Sequence, residues 1–453
     1  MGRWCRGRWH AGAVARRAAA AALLVTAALL PGGTAVAAGT PGGYGFAPGA
    51  RPVEGAAGAP DARPLEAGGT YRSSLPRHDT VYYRVGLDAG STAYVSVTAV
   101  PGAGDEVTAA DGLRVALRDA DGGSCSLNTV IFGAARSARP LTAEVVREVR
   151  DRGKRCQAAG TYYLTVERTR PQDSPQGAWA LELTVATEPG PARAGPTDAP
   201  EDWDSATPAP PTGAPGRLRG ADGFAGATLV GPGVWRDTVR PGQTLYYKVP
   251  VDWGRRPYAS VDLEGATGGS GYTDGALRLA LYTPVRGEVH GAARGYSGRR
   301  TTVGLAALPP AAHANRHSAD SRVSGMRFAG DYYLVVHLSA KVADGFGDGP
   351  FGLTLRVRVD GTVRPGPGYD GTARPEGVFD VSTWNPAVAA ATGGGGDGGG
   401  AARGDSATRT ALAVGGIGTG TALLLGLGVW TAVARSGAGA AAQPRNRAQK
   451  PTA

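Results

Sequence analysis

A stretch with alternating apolar residues, Thr80-Val-Tyr-Tyr-Arg-Val-Gly-Leu87, returns later in the same chain as Thr244-Leu-Tyr-Tyr-Lys-Val-Pro-Val251. Side chains along a strand alternate between faces, so Val81, Tyr83, Val85 and Leu87 form one apolar face, as do Leu245, Tyr247, Val249 and Val251. More matches follow in the same order. Ala93-Tyr-Val-Ser-Val97 corresponds to Pro257-Tyr-Ala-Ser-Val261, and Leu113, Val115 and Leu117 correspond to Leu277, Leu279 and Leu281. Ala159-Gly-Thr-Tyr-Tyr-Leu-Thr-Val166 recurs as Ala329-Gly-Asp-Tyr-Tyr-Leu-Val-Val336, and Trp179-Ala-Leu-Glu-Leu-Thr-Val185 as Phe351-Gly-Leu-Thr-Leu-Arg-Val357. A repeat of this length must fill a core of its own in each copy. Short strands, frequent turn glycines and little helical periodicity predict an all-β chain with two tandem antiparallel jelly-roll-like β-sandwiches.

The order Tyr-Tyr-Arg-Val, then an Asp-Gly strand, then Ala-Gly-Thr-Tyr-Tyr-Leu-x-Val, then a closing amphipathic strand resembles the bacterial pre-peptidase C-terminal domain, a small jelly-roll-like sandwich. The resemblance covers about residues 66–186 and 226–360, and the Gly-x-Tyr-Tyr strand is its most specific piece. It implies a non-catalytic domain associated with substrate or matrix binding. Members usually accompany a peptidase domain, and none adjoins these two copies. The resemblance carries over a fold and no catalytic residue.

Both copies lengthen the connection before the Gly-x-Tyr-Tyr strand, over residues 119–158 and 282–328, and insertions of this length in a compact domain are expected to be functional or disordered excursions. In the first, Leu141, Val145 and Val149 recur at helical spacing and predict a short helix over residues 141–149. The partition that follows is a signal peptide (1–37), a disordered lead-in (38–65), a first sandwich (66–187), a Pro-rich linker (188–225), a second sandwich (226–360), a Gly-rich stalk (361–410), a transmembrane helix (411–434) and a basic tail (435–453). Runs of proline and glycine make the linker an extended spacer and the stalk a flexible one.

The net charge of +10 reflects topology rather than a nucleic-acid partner. Residues 1–38 carry five arginines and no acid; residues 435–453 carry three arginines, one lysine and no acid. Arg16-Arg17, the apolar run Ala18 to Leu30 and the small residues Ala35-Val36-Ala37 make up a secretory signal. Residues 411–434 contain no charge, and a helix of that length spans a hydrocarbon core of about 30 Å. Basic residues after it place the C-terminus in the cytoplasm. The expected location is therefore the plasma membrane, single-pass, with the N-terminus and both sandwiches outside. Gly416 and Gly420 offer a helix face for dimerisation. Cys5 leaves with the signal, so Cys125 and Cys156 remain as an even pair in an oxidising compartment and are expected to form a disulfide.

Residues that carry chemistry are few. His313, His317 and Asp320 would hold a metal only on a helix, and the Pro309-Pro310 context favours a solvated loop. Asp119, Asp121 and Gly122 read as a polar hairpin turn rather than a calcium loop. Neither a Gly-x-Ser-x-Gly elbow nor a phosphate-binding Gly-Lys loop occurs. The paired tyrosines at 82–83, 162–163, 246–247 and 332–333 should each send one ring outward, where it either packs under a loop or builds a carbohydrate platform. Arg147, Arg150, Arg152, Lys154 and Arg155 form a basic cluster partly balanced by Glu144, Glu148 and Asp151, which makes it a candidate interaction surface or a solvated face.

No catalytic residue, metal ligand or cofactor site is expected, and the chain reads as a non-enzyme. The function expected is a cell-surface binding protein that takes an extracytoplasmic protein or an envelope glycan. The alternatives are a structural subunit of an envelope or secretion complex, and a secreted hydrolase or its accessory.

Overall fold

A computed structural model describes residues 43–149, 155–193, 195 and 202–385. The first repeat contains β1 (Arg51–Pro52), β2 (Arg63–Leu65), β3 (Thr70–Leu75), β4 (Val81–Leu87), β5 (Thr92–Val100), β6 (Gly112–Arg118), β7 (Ser124–Ile131), β8 (Leu141–Arg147), β9 (Gly160–Arg168) and β10 (Trp179–Glu188). The second contains β11 (Gly216–Arg217), β12 (Thr228–Leu229), β13 (Gly233–Val239), β14 (Thr244–Val251), β15 (Arg256–Leu263), β16 (Thr273–Tyr282), β17 (Glu288–Tyr296), β18 (Thr301–Gly304), β19 (Gly330–Leu338) and β20 (Phe351–Asp360). In the first repeat two five-stranded sheets run β1-β3-β10-β5-β8 and β2-β4-β9-β6-β7; in the second they run β11-β13-β20-β15-β18 and β12-β14-β19-β16-β17. Each strand of the second copy takes the place of the strand ten earlier. All pairings are antiparallel except the short edge pairs β1 to β3, β2 to β4, β11 to β13 and β12 to β14, which are parallel.

Alternation fixes the faces as expected. On β4, Val81, Tyr83, Val85 and Leu87 are buried while Arg84 and Gly86 are exposed. The motif tyrosines occupy equivalent positions in both copies. Tyr162 Oη donates to Ala158 O at 2.7 Å and Tyr332 Oη to Phe328 O at 3.1 Å, so each inward ring keeps its hydroxyl satisfied in an apolar core. Tyr83 Oη bonds to Ser73 Oγ and Tyr247 Oη to Asp237, both at 2.7 Å, linking the two sheets of each sandwich. The motif glycine also has a backbone reason. Gly160 and Gly330 open their strands at φ of 152° and 138°, a region where a side chain is strained.

Three expectations are corrected. The lengthened connections supply structural strands, β7 and β8 in one copy and β17 and β18 in the other, so they belong to the sheets. Residues 141–147 form strand β8 and not a helix, with Leu141, Ala143, Val145 and Arg147 on the buried side. A spacing of four fits both periods, and the β-branched Thr142, Val145 and Val146 favour the strand. Third, parts of the lead-in and stalk are ordered against the sandwiches. Tyr44 Oη and Ala47 N donate to Glu182, and Thr187 and Pro191 bridge to Arg374 and Tyr369. These segments satisfy buried polar groups of the domains, which their Gly/Pro composition alone does not reveal.

The sandwiches dock directly. Glu182 and Glu188 of β10, 0% and 1% exposed, anchor the seam. Glu182 takes Arg286 at 2.5 Å, while Glu188 takes Arg316 at 2.7 Å, Tyr94 Oη at 2.7 Å and Tyr369 Oη at 2.8 Å. Around these pairs Tyr94 meets Phe328 edge-on, and Phe379 from the stalk stacks on Phe328. Among the described residues no helix is long and apolar enough to cross a membrane. The signal peptide, the helix at 411–434 with Gly416 and Gly420, and the basic tail lie outside the described residues.

Candidate functional site

The outward face of the β2-β4-β9-β6-β7 sheet carries an open groove on the first sandwich. Strand register places Tyr82, Thr165, Ala116 and Leu127 in one row across it. The next row holds Tyr163 and Arg118, and the row on the other side holds Glu167 and Arg114. Tyr82 and Tyr163 are therefore diagonal neighbours, close enough for both rings to touch one ligand. With Ala59, Asp119 and Gly122 these residues line a groove of about 450 Å³. Leu127, 61% exposed, sits on its rim.

Polar groups flank the rings. Arg114 pairs with Glu167 at 3.2 Å, and Thr80 Oγ1 donates to the other Glu167 oxygen at 3.0 Å. Thr80 and Tyr82 also line a neighbouring cleft of about 970 Å³, bounded by residues 52–57 and by Arg72, Ser73 and Ser74, so Tyr82 stands on the ridge between two concavities. The larger cleft is lined by Glu54, Arg72, His78 and Asp79 but by only one tyrosine, Tyr82. The groove beside it has the aromatic faces, and those faces with hydroxyl, guanidinium and carboxylate groups suit a ligand that is apolar on its flat side and polar on its edge.

The matching face of the second sandwich is covered around Tyr246 by Phe224. There the rows are Tyr246, Val335, Ala280 and Gly291, then Lys248, Tyr333, Tyr282 and Glu288. Phe224 lies over them, with ring centroids 4.9 Å from Tyr246, 5.0 Å from Tyr333 and 5.6 Å from Tyr282. Strand pairing places Ala59 at the position of Phe224, because Arg63 and Thr228 pair with the equivalent Tyr83 and Tyr247. Replacing a phenylalanine by an alanine leaves the first face open. The outward tyrosines thus divide, with Tyr246 buried under Phe224, Tyr333 half-buried against it, and Tyr82 and Tyr163 half-buried on an open groove.

Residues singled out from sequence fare differently. Cys125 and Cys156 form a disulfide with Cα atoms 5.7 Å apart, as expected. Arg147 is not part of a surface cluster: it is 1% exposed, its guanidinium donates to Asp88 O and lies 5.4 Å from the Tyr162 ring centre. It occupies an inward position of β8, which the helical reading had turned outward. Arg155 is exposed, and Arg150, Arg152 and Lys154 lie outside the described residues. Asp119 closes a turn, accepting Gly123 N at 2.6 Å. Among the described residues the one convergence of metal-type side chains is Asp119, Cys125 and Cys156, whose two sulfurs are spent on the disulfide. His313 packs edge-on against Tyr369, and burial with the adjacent Arg316 pushes it down to about 4, while Asp320 pairs with Arg322 at 3.0 Å.

No family model matches the chain, and no curated protein matches it. Solved structures resemble it weakly. The tandem CBM22 modules of Xyn10C from Paenibacillus barcinonensis share 9% identity, covering 64% of this chain and 85% of theirs with a TM-score of 0.17. For the tandem CBM51 modules of Sp3GH98 from Streptococcus pneumoniae the values are 8%, 64%, 83% and 0.16, and for the CUB1-EGF-CUB2 region of human MASP-1/3 they are 8%, 64%, 99% and 0.17. Likeness at this level carries no function across. The sandwich assignment rests on the strand pairings themselves.

Proposed function

We propose that the chain is a non-catalytic binding protein of the cell surface whose ligand, a carbohydrate chain of the envelope, lies along the Tyr82 and Tyr163 groove. One observation carries this reading: equivalent faces of two copies of one fold differ, and the first leaves Tyr82 and Tyr163 together in one open groove, with Ala59 where Phe224 covers Tyr246 in the second. Sugar rings present apolar C–H faces to aromatic side chains and hydroxyl edges to polar ones, and both kinds of partner line this groove. The Gly-x-Tyr-Tyr resemblance to pre-peptidase C-terminal domains supports a binding role. Export and a C-terminal membrane helix fit the disulfide, which persists in oxidising compartments.

Purified full-length protein titrated with polysaccharides from a cell envelope provides the test. Saturable binding that weakens by about tenfold or more in Tyr163→Ala and in Tyr82→Ala is expected, each lost stacking contact costing about 0.5–1.5 kcal/mol beyond buried area. Binding unaffected by either substitution sinks the assignment of this groove. Protease added to intact cells should digest both sandwiches, and their protection would overturn the surface location.

A further inference from the structure

A third concavity lies between the sandwiches, away from the tyrosine groove. Its volume is about 740 Å³. One wall is β7 and the segment before β8, with Asn128, Ile131, Phe132 and Arg139; the other is β16, β17 and the short helix Ser321–Ser324, with Arg278, Tyr282, His290 and Arg322. Three arginines meet here and Glu288 is the one acidic residue of the lining.

Two of the arginines are already matched. Arg278 pairs with Glu288 at 2.6 Å, and Arg322 with Asp320 at 3.0 Å. Arg139 makes no ion pair with a described carboxylate, and Glu288 acts on it only at longer range. Its Nη2 donates to Ile131 O at 3.2 Å and more weakly to Phe132 O at 3.4 Å, while Nη1 is buried and bonds to none of the described residues. A buried guanidinium proton with no acceptor is destabilising, because water is lost and nothing replaces it. Burial, with the positive charge of Arg278 acting across the cleft, pushes Arg139 down to about 10. Nearby His337 is held neutral by the same surroundings, so it adds no charge that would compensate. Phe132 and Tyr282 supply apolar walls beside these donors.

We infer that this cleft binds an oxyanion, a phosphate or carboxylate group carried by a small polar ligand, held between Arg139 of the first sandwich and Arg278 of the second. An anion there supplies the missing acceptor for Arg139 Nη1 and turns the repulsion of two like charges into two attractions. It also bridges the domains, so binding stabilises the docked pair by mass action.

The test titrates the full-length protein with inorganic phosphate, and separately with acetate, at constant ionic strength held with chloride, following both calorimetric heat and the thermal midpoint. Saturable binding of at least one of the two anions is expected, and the stronger binder names the chemistry. Arg139→Lys, which keeps the charge and removes the fork, should weaken it by about tenfold; Arg278→Gln should do the same. Arg114→Gln, on the tyrosine groove, should leave it unchanged, which separates this site from the carbohydrate reading. Neither anion binding above the chloride background overturns the inference, as does saturable binding that survives both Arg139→Lys and Arg278→Gln in variants whose far-ultraviolet circular dichroism matches the parent.

Discussion

The outward faces of the β2-β4-β9-β6-β7 and β12-β14-β19-β16-β17 sheets begin from the same register and end in opposite states. Residue for residue, Tyr82 stands for Tyr246, Thr165 for Val335, Arg118 for Tyr282 and Leu127 for Gly291. In the second copy each change is toward a ring or an aliphatic group at the centre and a small residue at the edge, and Phe224, Tyr44 and Arg286 close over the result. That face is structural. In the first copy Thr165 and Arg118 make the centre polar, Leu127 stands exposed at the edge, Phe224 is replaced by Ala59, and the face stays open. A duplicated fold has thus kept its inward faces, which must pack, and divided its outward ones between cohesion and contact with a ligand.

The largest test of this division is Arg286→Ala. Arg286 reaches Glu182 from a turn where its own φ is 67°, a conformation that costs a non-glycine residue of order 1 kcal/mol and persists because the ion pair and the Phe224 ring hold it. Removing the guanidinium leaves Glu182 buried with only Tyr44 Oη and Ala47 N as donors. A broken buried pair costs about 3–5 kcal/mol. Differential scanning calorimetry should show one transition in the parent and two in the variant, as the sandwiches lose their coupling. A single unshifted transition would show that the seam does not depend on this pair.

Next comes a reciprocal exchange. Phe224→Ala should cost about 3–5 kcal/mol, the range for a buried ring whose cavity cannot collapse onto three fixed tyrosines. Ala59→Phe should change stability by less than about 1 kcal/mol, since the groove has room for a ring, and yet it should abolish carbohydrate binding. Urea midpoints together with a binding titration check both halves. If Ala59→Phe bound ligand as well as the parent, the open face would not be the site.

How far the sequence anticipated this division depends on which contacts are local. Strands β4, β5, β6, β9 and β10 and their partners announce themselves because their inward residues alternate within one segment. Strand β7 does not: its larger apolar residues Leu127 and Ile131 point outward and its inward side holds Cys125, Asn128 and Val130 in half-buried positions. Strand β18 has four residues, too few for a period. The paired tyrosines were legible as one in and one out, but whether the outer ring is covered depends on Phe224 or Ala59, a difference visible only once the short strands β2 and β12 are paired. Glu182 reads in its strand as an ordinary outward acid. Its burial comes from another domain, and no local pattern encodes that.

The smallest expected effect is a pair of opposite tilts in stability against pH, both from groups at the seam. His337 bonds to Ser137 Oγ at 3.1 Å and Thr244 Oγ1 at 2.9 Å, and burial, with Arg139 and Arg278 facing it, pushes it down to about 3. Below the ordinary histidine value of about 6.5 the unfolded chain takes up a proton that the folded one refuses, so stability is lost as pH falls from there toward 3. Glu144, 3.8 Å from Arg327, tilts the other way: burial outweighs the arginine and pushes it up to about 7. The folded chain then keeps a proton that the unfolded one has released, and stability is lost as pH rises from about 4.5 to 7. Between 4.5 and 6.5 the two oppose each other, and the parent should be nearly flat. Urea midpoints at pH 5 and pH 7 separate them. His337→Gln, whose amide can still bond to Ser137 and Thr244, should gain about 1–2 kcal/mol at pH 5 relative to pH 7, and Glu144→Gln should gain a similar amount at pH 7 relative to pH 5. Identical pH profiles for the parent and both variants would mean that the seam opens to solvent before either group titrates, and the first sandwich would then be held to the second by Glu182 and Glu188 alone.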